Sequence, residues 1–122
     1  MRTLRTLIGV VVTLAVLSTS SALLQAHMKL EKSEPAADAV VKEPLKHVQV
    51  FFSEAPDLKV SKLEIKGPSA QTKLVQLHVM GNSLMAMVEG DMPDGAYTIS
   101  WQAAGDDGHI QKGEISFTLK RA

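Results

Sequence analysis

The chain has 122 residues, 45% of them hydrophobic, with 13 basic residues against 13 acidic ones and no cysteine. That length suits one domain with a real core, and the lack of cysteine excludes disulfide staples, thiolate zinc sites, cysteine-ligated iron–sulfur clusters, blue copper and a cysteine nucleophile. Any tight metal site must come from carboxylate, methionine, backbone groups and the four histidines, His27, His47, His78 and His109.

The first segment reads as an export signal. Met1-Arg-Thr-Leu-Arg5 is a short basic start, Leu7 to Leu17 is an apolar run, and Ser18 to Ala26 is small and polar, ending at a cleavage-type site. The apolar run is much shorter than the about 20 residues a membrane-spanning helix needs. The expectation is therefore a cleaved signal over residues 1–26 and a working domain over 27–122, exported from the cytoplasm and free of the membrane after cleavage. An uncleaved anchor is the alternative. Cutting after Ala26 makes His27 the first residue. Cutting after Ala22 fits a small-x-small rule better and leaves Leu23-Leu24-Gln25-Ala26 ahead of it. Loss of the segment removes Arg2 and Arg5 and no acidic residue, because the first is Glu31. The remaining domain is mildly acidic, which argues against a nucleic-acid grip built on phosphate contacts.

Beyond the signal, period-2 alternation recurs between Gly/Pro punctuation, and no long stretch keeps a helical period. Val48, Val50 and Phe52 alternate with His47, Gln49 and Phe51. A run from Leu58 and Val60 through Leu63 and Ile65 slips phase at Ser61-Lys62, which predicts a bulge. Gly67-Pro68-Ser69 is a turn. A two-residue Gly81-Asn82 turn would pair Met80 with Ser83, Val79 with Leu84 and His78 with Met85. That register puts Val75, Leu77, Val79, Leu84, Ala86 and Val88 on one buried face and His78, Met80, Met85 and Met87 on the other. Met92-Pro93-Asp94-Gly95 turns the chain again. Tyr97, Ile99, Trp101 and Ala103 then alternate, as do Ile115, Phe117 and Leu119. About seven short strands predict an all-β, immunoglobulin-like (cupredoxin-like Greek-key) β-sandwich, without the disulfide of antibody domains.

Between the last two strands, Gly105-Asp106-Asp107-Gly108-His109 sets a carboxylate and an imidazole two residues apart in a glycine-flanked loop. Both can turn toward one ion, although such triplets also occur as plain solvated loop. If His27 starts the chain, its α-amine and one ring nitrogen can grip the same metal. With Asp107 and His109 the set is three nitrogens and one oxygen, which suits tetragonal Cu(II).

Five short motifs in order now carry a resemblance. They are Ala26-His27, Ser33-Glu34-Pro35-Ala36, Phe52-Ser53-Glu54, Gly95-Ala96-Tyr97-Thr98-Ile99-Ser100-Trp101, and Asp107-Gly108-His109 with Gly113 to Phe117 after it. Over essentially all of 27–122 the chain resembles the CopC family of periplasmic copper-binding proteins. The resemblance implies a Cu(II) site of the His27 amine and imidazole, Asp107 and His109. It also implies that Glu54 lies near the metal and orients a ligand or a water, against the alternative of a solvated strand end. A role in copper homeostasis or resistance follows, with a CopD-type inner-membrane copper transporter as partner. Some family members add a Cu(I) site in a Met-rich loop with a His, and soft thioethers suit that ion. The corresponding stretch here, Lys66 to Thr72, has neither residue. For the His78, Met80, Met85, Met87 face, packing is the simpler role. The expectation is therefore one Cu(II) site without an added Cu(I) site, and an ordinary surface histidine at His47.

These readings predict a binding protein, not an enzyme, that sequesters Cu(II) or delivers it. Since its nitrogen ligands must shed protons to bind, affinity should fall below about pH 6.5. A histidine-brace copper monooxygenase would call for a larger domain and a flat aromatic surface. Here there are only one Trp, one Tyr and three Phe, and most of them alternate into core positions. A metal-free interaction module on the same sandwich is the third alternative.

Overall fold

The computed structural model describes residues 27–121, so the proposed export segment lies outside the described residues. Two four-stranded sheets form the domain. In the first, β1 (Leu30–Glu34) pairs with β3 (His47–Phe52), then β6 (Ser83–Glu89), then β5 (Lys73–Met80). In the second, β2 (Val40–Val41) pairs with β8 (Gln111–Leu119), then β7 (Gly95–Ala103), then β4 (Lys62–Lys66). All neighbours are antiparallel except β2 and β8. The all-β sandwich is thus as expected, with eight described strands where about seven were expected. The expected strands did not single out β1 or β2. The sequence of β1, Leu-Glu-Lys-Ser-Glu, is nearly all exposed and shows no apolar alternation.

The alternating residues meet between the sheets. Val48, Val50, Phe52, Leu84 and Ala86 from the first face Tyr97, Ile99, Trp101, Ala103, Ile115, Phe117 and Leu119 from the second, all buried. Burying each large apolar side chain is worth about 1.5–3 kcal/mol. Phe52 meets Trp101 edge-on, centroids 5.3 Å apart, and Tyr97 stacks on Phe117 at 5.2 Å. The Tyr97 hydroxyl donates to the Pro93 carbonyl four residues upstream, the corner device of immunoglobulin-like sandwiches. Trp101 stands opposite Gly113, where a Cβ would come within 2.6 Å of the indole. Glycine there makes room for the ring.

Two local expectations are corrected. The Leu58–Val60 segment is a 3-10 turn, not the first half of a strand. Asp57 caps it by accepting the Lys59 amide at 3.0 Å, and the Ser61 hydroxyl closes onto the Asp57 carbonyl at 2.6 Å. The phase slip at Ser61-Lys62 is therefore the join between turn and strand, with no bulge. The bulge lies in β5, between Val75 and His78, where Gln76 takes a left-handed φ of 57°. The extra residue reverses the side-chain alternation. Leu74, with Leu77 and Val79, packs against the core, while Val75 faces outward opposite Met87. The Gly81-Asn82 turn and its three pairs, Met80–Ser83, Val79–Leu84 and His78–Met85, form as expected.

Candidate metal centre

Residue 27 is held at one end of the sandwich by its two successors. The Met28 side chain is 1% exposed, and its carbonyl accepts from Gln111 Nε2 at 2.7 Å. Lys29 exchanges two hydrogen bonds with Ser53, amide to hydroxyl and carbonyl to amide, both 2.8 Å. Because successive side chains in extended chain alternate, an inward Met28 leaves His27 outward.

The loop between β7 and β8 supplies the other groups. It folds tightly, with the Gly108 amide donating to the Gly105 carbonyl at 3.0 Å and Gly108 at a φ of 71° that favours glycine. Asp107 Oδ1 accepts the His109 amide at 3.0 Å. Its Oδ2 meets His27 Nδ1 at 2.6 Å, joining residues 80 apart in sequence. The His27 and His109 rings lie 5.4 Å apart, tilted by 57°. The Asp107 carboxyl is held below its ordinary range, first by the His109 amide and then by the His27 side chain. It is therefore an anion at neutral pH, so His27 Nδ1 carries the proton between them.

The fold thus brings His27, Asp107 and His109 to one place. Among the described residues, no three His, Asp or Glu side chains converge closely enough to form a metal-binding group. In the uncut chain the nitrogen of His27 is an amide joined to Ala26, not an amine.

Glu54 sits under the loop rather than among the donors. Its Oε1 accepts the Asp106 amide at 2.9 Å. A Cβ on Gly105 would fall 1.8 Å from that oxygen, so only glycine lets the carboxylate approach. The contact differs from the solvated strand end that the residue type alone allows. Met28, Ser53, Gly105 and Gln111 all hold the residues expected as donors, and sequence reasoning did not single them out. The one signal available was the glycine opening Gly105-Asp106-Asp107-Gly108-His109.

His78, Met80, Met85 and Met87 take no part in this loop cluster. They lie on the outer face of the first sheet, His78 opposite Met85 and Met87 opposite His47.

Comparison with known proteins agrees with this architecture. Protein YobA of Escherichia coli K12 is 30% identical over 114 residues, 88% of this chain and 91% of that protein. Copper resistance protein C of Xanthomonas campestris pv. juglandis is 29% identical over 122 residues, covering 93% and 95% of the two chains. The crystal structure of PcoC, a methionine-rich copper resistance protein from Escherichia coli, superposes with a TM-score of 0.65 and 27% identity, over 78% of this chain and all of that one. The family model of the CopC domain matches residues 30–120, nearly the whole sandwich, and the chain belongs to the CopC family.

Proposed function

We propose that the protein binds Cu(II) at the end of the sandwich and serves copper homeostasis or resistance in the periplasm. Once residues 1–26 are removed, His27 offers its amine and imidazole, and Asp107 and His109 complete the set. The observation that carries this reading is the contact of His27 Nδ1 with Asp107 Oδ2 at 2.6 Å, beside the His109 ring. A proton now lies between those two atoms, and a divalent ion takes its place, so loading releases protons. The anionic Asp107 offsets part of the ion's charge, and its grip on the His109 amide keeps the loop in shape. Membership of a family whose relatives include a protein named for copper resistance supports the choice of ion.

Binding, not catalysis, is the role proposed. Phe52, Tyr97, Trp101 and Phe117 are buried, and Phe51 lies beneath the Lys32 ammonium at 4.5 Å. That leaves these rings unsuited to stacking on a sugar, which supports a carrier over a polysaccharide-oxidising enzyme. We place a CopD-type inner-membrane transporter as the partner that receives the ion.

Intact mass of the exported protein, then Cu(II) titration followed by EPR, tests the reading. The expected results are a chain beginning at His27, one equivalent of Cu(II) and nitrogen-dominated EPR. His27→Ala abolishes tight binding and His47→Ala leaves it unchanged. A chain beginning at Leu23, or full affinity in His27→Ala, overturns the amine site.

A further inference from the structure

Large apolar side chains left in water are not spread evenly over the domain. Among the described residues five are exposed, Leu30, Val40, Leu58, Met80 and Ile110. All but Val40 stand at the end that carries His27, Asp107 and His109. Leu30 lies three residues after His27, and Ile110 directly follows His109. Leu58 follows Asp57, whose amide donates to the Ala104 carbonyl at 2.9 Å, so Leu58 and Ile110 flank the two roots of the β7–β8 loop. Met80 opens the Gly81-Asn82 turn, where the Asn82 carbonyl accepts the Phe52 amide at 2.8 Å. Val40 pairs with Thr118, near the far end of β8. A single exposed apolar residue needs no explanation, whereas a group of them set among polar neighbours marks an interaction surface.

The segments that carry them are tied together before anything docks. Besides the Asp57–Ala104 bond, Glu54 holds the Asp106 amide and Gln111 Nε2 holds the Met28 carbonyl. A surface fixed in this way gives up little freedom on association. Its charge is also one-sided. Segments 27–30, 53–59 and 104–110 hold four carboxylates, Glu54, Asp57, Asp106 and Asp107, against two ammonium groups, Lys29 and Lys59. A cationic protein surface complements that balance, and an anionic membrane does not.

We propose that this end of the sandwich docks a protein partner that presents apolar side chains in a basic surround, and that docking and Cu(II) oppose each other. The second half rests on the proposed Cu(II) role. The ion brings more positive charge than the protons it displaces, so the loaded end attracts a basic partner less than the empty one. Coupling between two ligands is reciprocal, so the docked partner lowers Cu(II) affinity by the same factor. Docking therefore drives release where the recipient stands, and the apolar rim keeps water out of the contact.

The probe is an amphipathic leucine–lysine peptide, blocked at both ends so that its termini do not chelate copper. Added to the metal-free, nitrogen-15-labelled protein, it should shift the amide signals of Leu30, Leu58 and Ile110 and leave Val40 in place. Leu58→Ser and Ile110→Ser should each weaken the peptide by about fivefold or more, with the thermal transition and Cu(II) affinity unchanged. Val40→Ser should have no effect. Leucine–glutamate and serine–lysine peptides of the same pattern should bind at least about tenfold more weakly. By fluorescence anisotropy, Cu(II) loading should weaken the leucine–lysine peptide by about fivefold or more, with a matching loss of Cu(II) affinity when the peptide is present. The proposal is overturned if the shifts fall away from this end, if the Leu58 and Ile110 variants bind as the parent does, or if the leucine–glutamate peptide binds as tightly. Equal binding by loaded and empty protein overturns it too, as does binding to neutral-lipid vesicles that Leu58→Ser abolishes, which would make the occupant a membrane. A protein that takes up no Cu(II) without peptide refutes the copper role instead, and the metal-free titration then decides the docking surface by itself.

Discussion

Replacing Glu54 by alanine removes the acceptor of the Asp106 amide, 2.9 Å away in the intact chain. A hydrogen bond to a charged group contributes about 1.5–3 kcal/mol. Glu54 is only half-buried, so the lower figure, about 1.5 kcal/mol, is appropriate. At 1.4 kcal/mol per decade, releasing the loop that carries Asp107 and His109 should weaken Cu(II) binding about tenfold. Glu54→Gln keeps an acceptor oxygen and loses only the charge, so it should stay within about threefold of the parent. Gly105→Ala reaches the same contact from the other side, since its Cβ would lie 1.8 Å from Glu54 Oε1. It should mimic Glu54→Ala, and combining the two should cost no more than either, because both break one contact. Competition titration against a chromophoric Cu(II) chelator measures the affinities, and amide exchange at Asp106 in the metal-free protein reports the loop directly. Parent-like affinity in Glu54→Ala would refute the clamp. Equal losses in Glu54→Gln and Glu54→Ala would show that the charge acts on the metal, not the oxygen on the loop.

Other consequences test the frame and the donors. Tyr97→Phe removes the bond to the Pro93 carbonyl and should cost about 1 kcal/mol, lowering Tm by about 4–8 °C. Burial, opposed by the Arg121 charge, holds the Tyr97 phenol above its ordinary 10.0. The unfolded chain therefore loses this proton first, so the Tyr97 contribution is intact below about pH 10 and is lost as pH rises further. The phenylalanine variant should lack that part of the alkaline slope, and identical slopes in thermal melts would contradict it. Gly113→Ala drives a methyl to 2.6 Å from Trp101 and should destabilise by about 1–3 kcal/mol in denaturant titrations. An unchanged midpoint would mean the indole is not wedged there. Cu(II) affinity should decline by about tenfold or more per pH unit below about pH 6.5, as protons compete for the nitrogen donors. Asp107, held below the usual carboxylate range, stays ionised across that window and adds no step. A flat affinity between about pH 8 and pH 5 would remove the nitrogen ligands from the site.

What could be read from the sequence follows the physics of alternation. Strands β3, β7 and β8 each bury one apolar face, so Val48, Val50, Phe52, Tyr97, Ile99, Trp101, Ile115 and Phe117 declared themselves. The Gly81-Asn82 turn was readable because its glycine needs, and takes, a left-handed φ of 59°. β1 was not readable, since it joins its sheet through backbone hydrogen bonds while its side chains stay in water. Nor was the bulge. Gln76 carries no glycine mark, and Leu74 and Val75 are equally apolar, so either could have been the inward residue.

The proposed donor residues obey another logic. His27, Asp107 and His109 are exposed, so no burial pattern marks them, and their proximity depends on contacts made by their neighbours. The most telling of these is Met28. Moving residue 27 by one position would turn every side chain at that end to the opposite face. It would also bring Met28 out into water, at a cost of about 1.5–3 kcal/mol. The apolar anchor thus fixes which way the histidine points, and the Lys29–Ser53 pair fixes where it stands. On the opposite side of the cluster, Glu54 and Gly105 do the same for the loop. The solvent-exposed residues proposed as donors are therefore held in register by buried or backbone-bonded neighbours. Substitutions at those neighbours should impair metal binding although none of them supplies a donor atom.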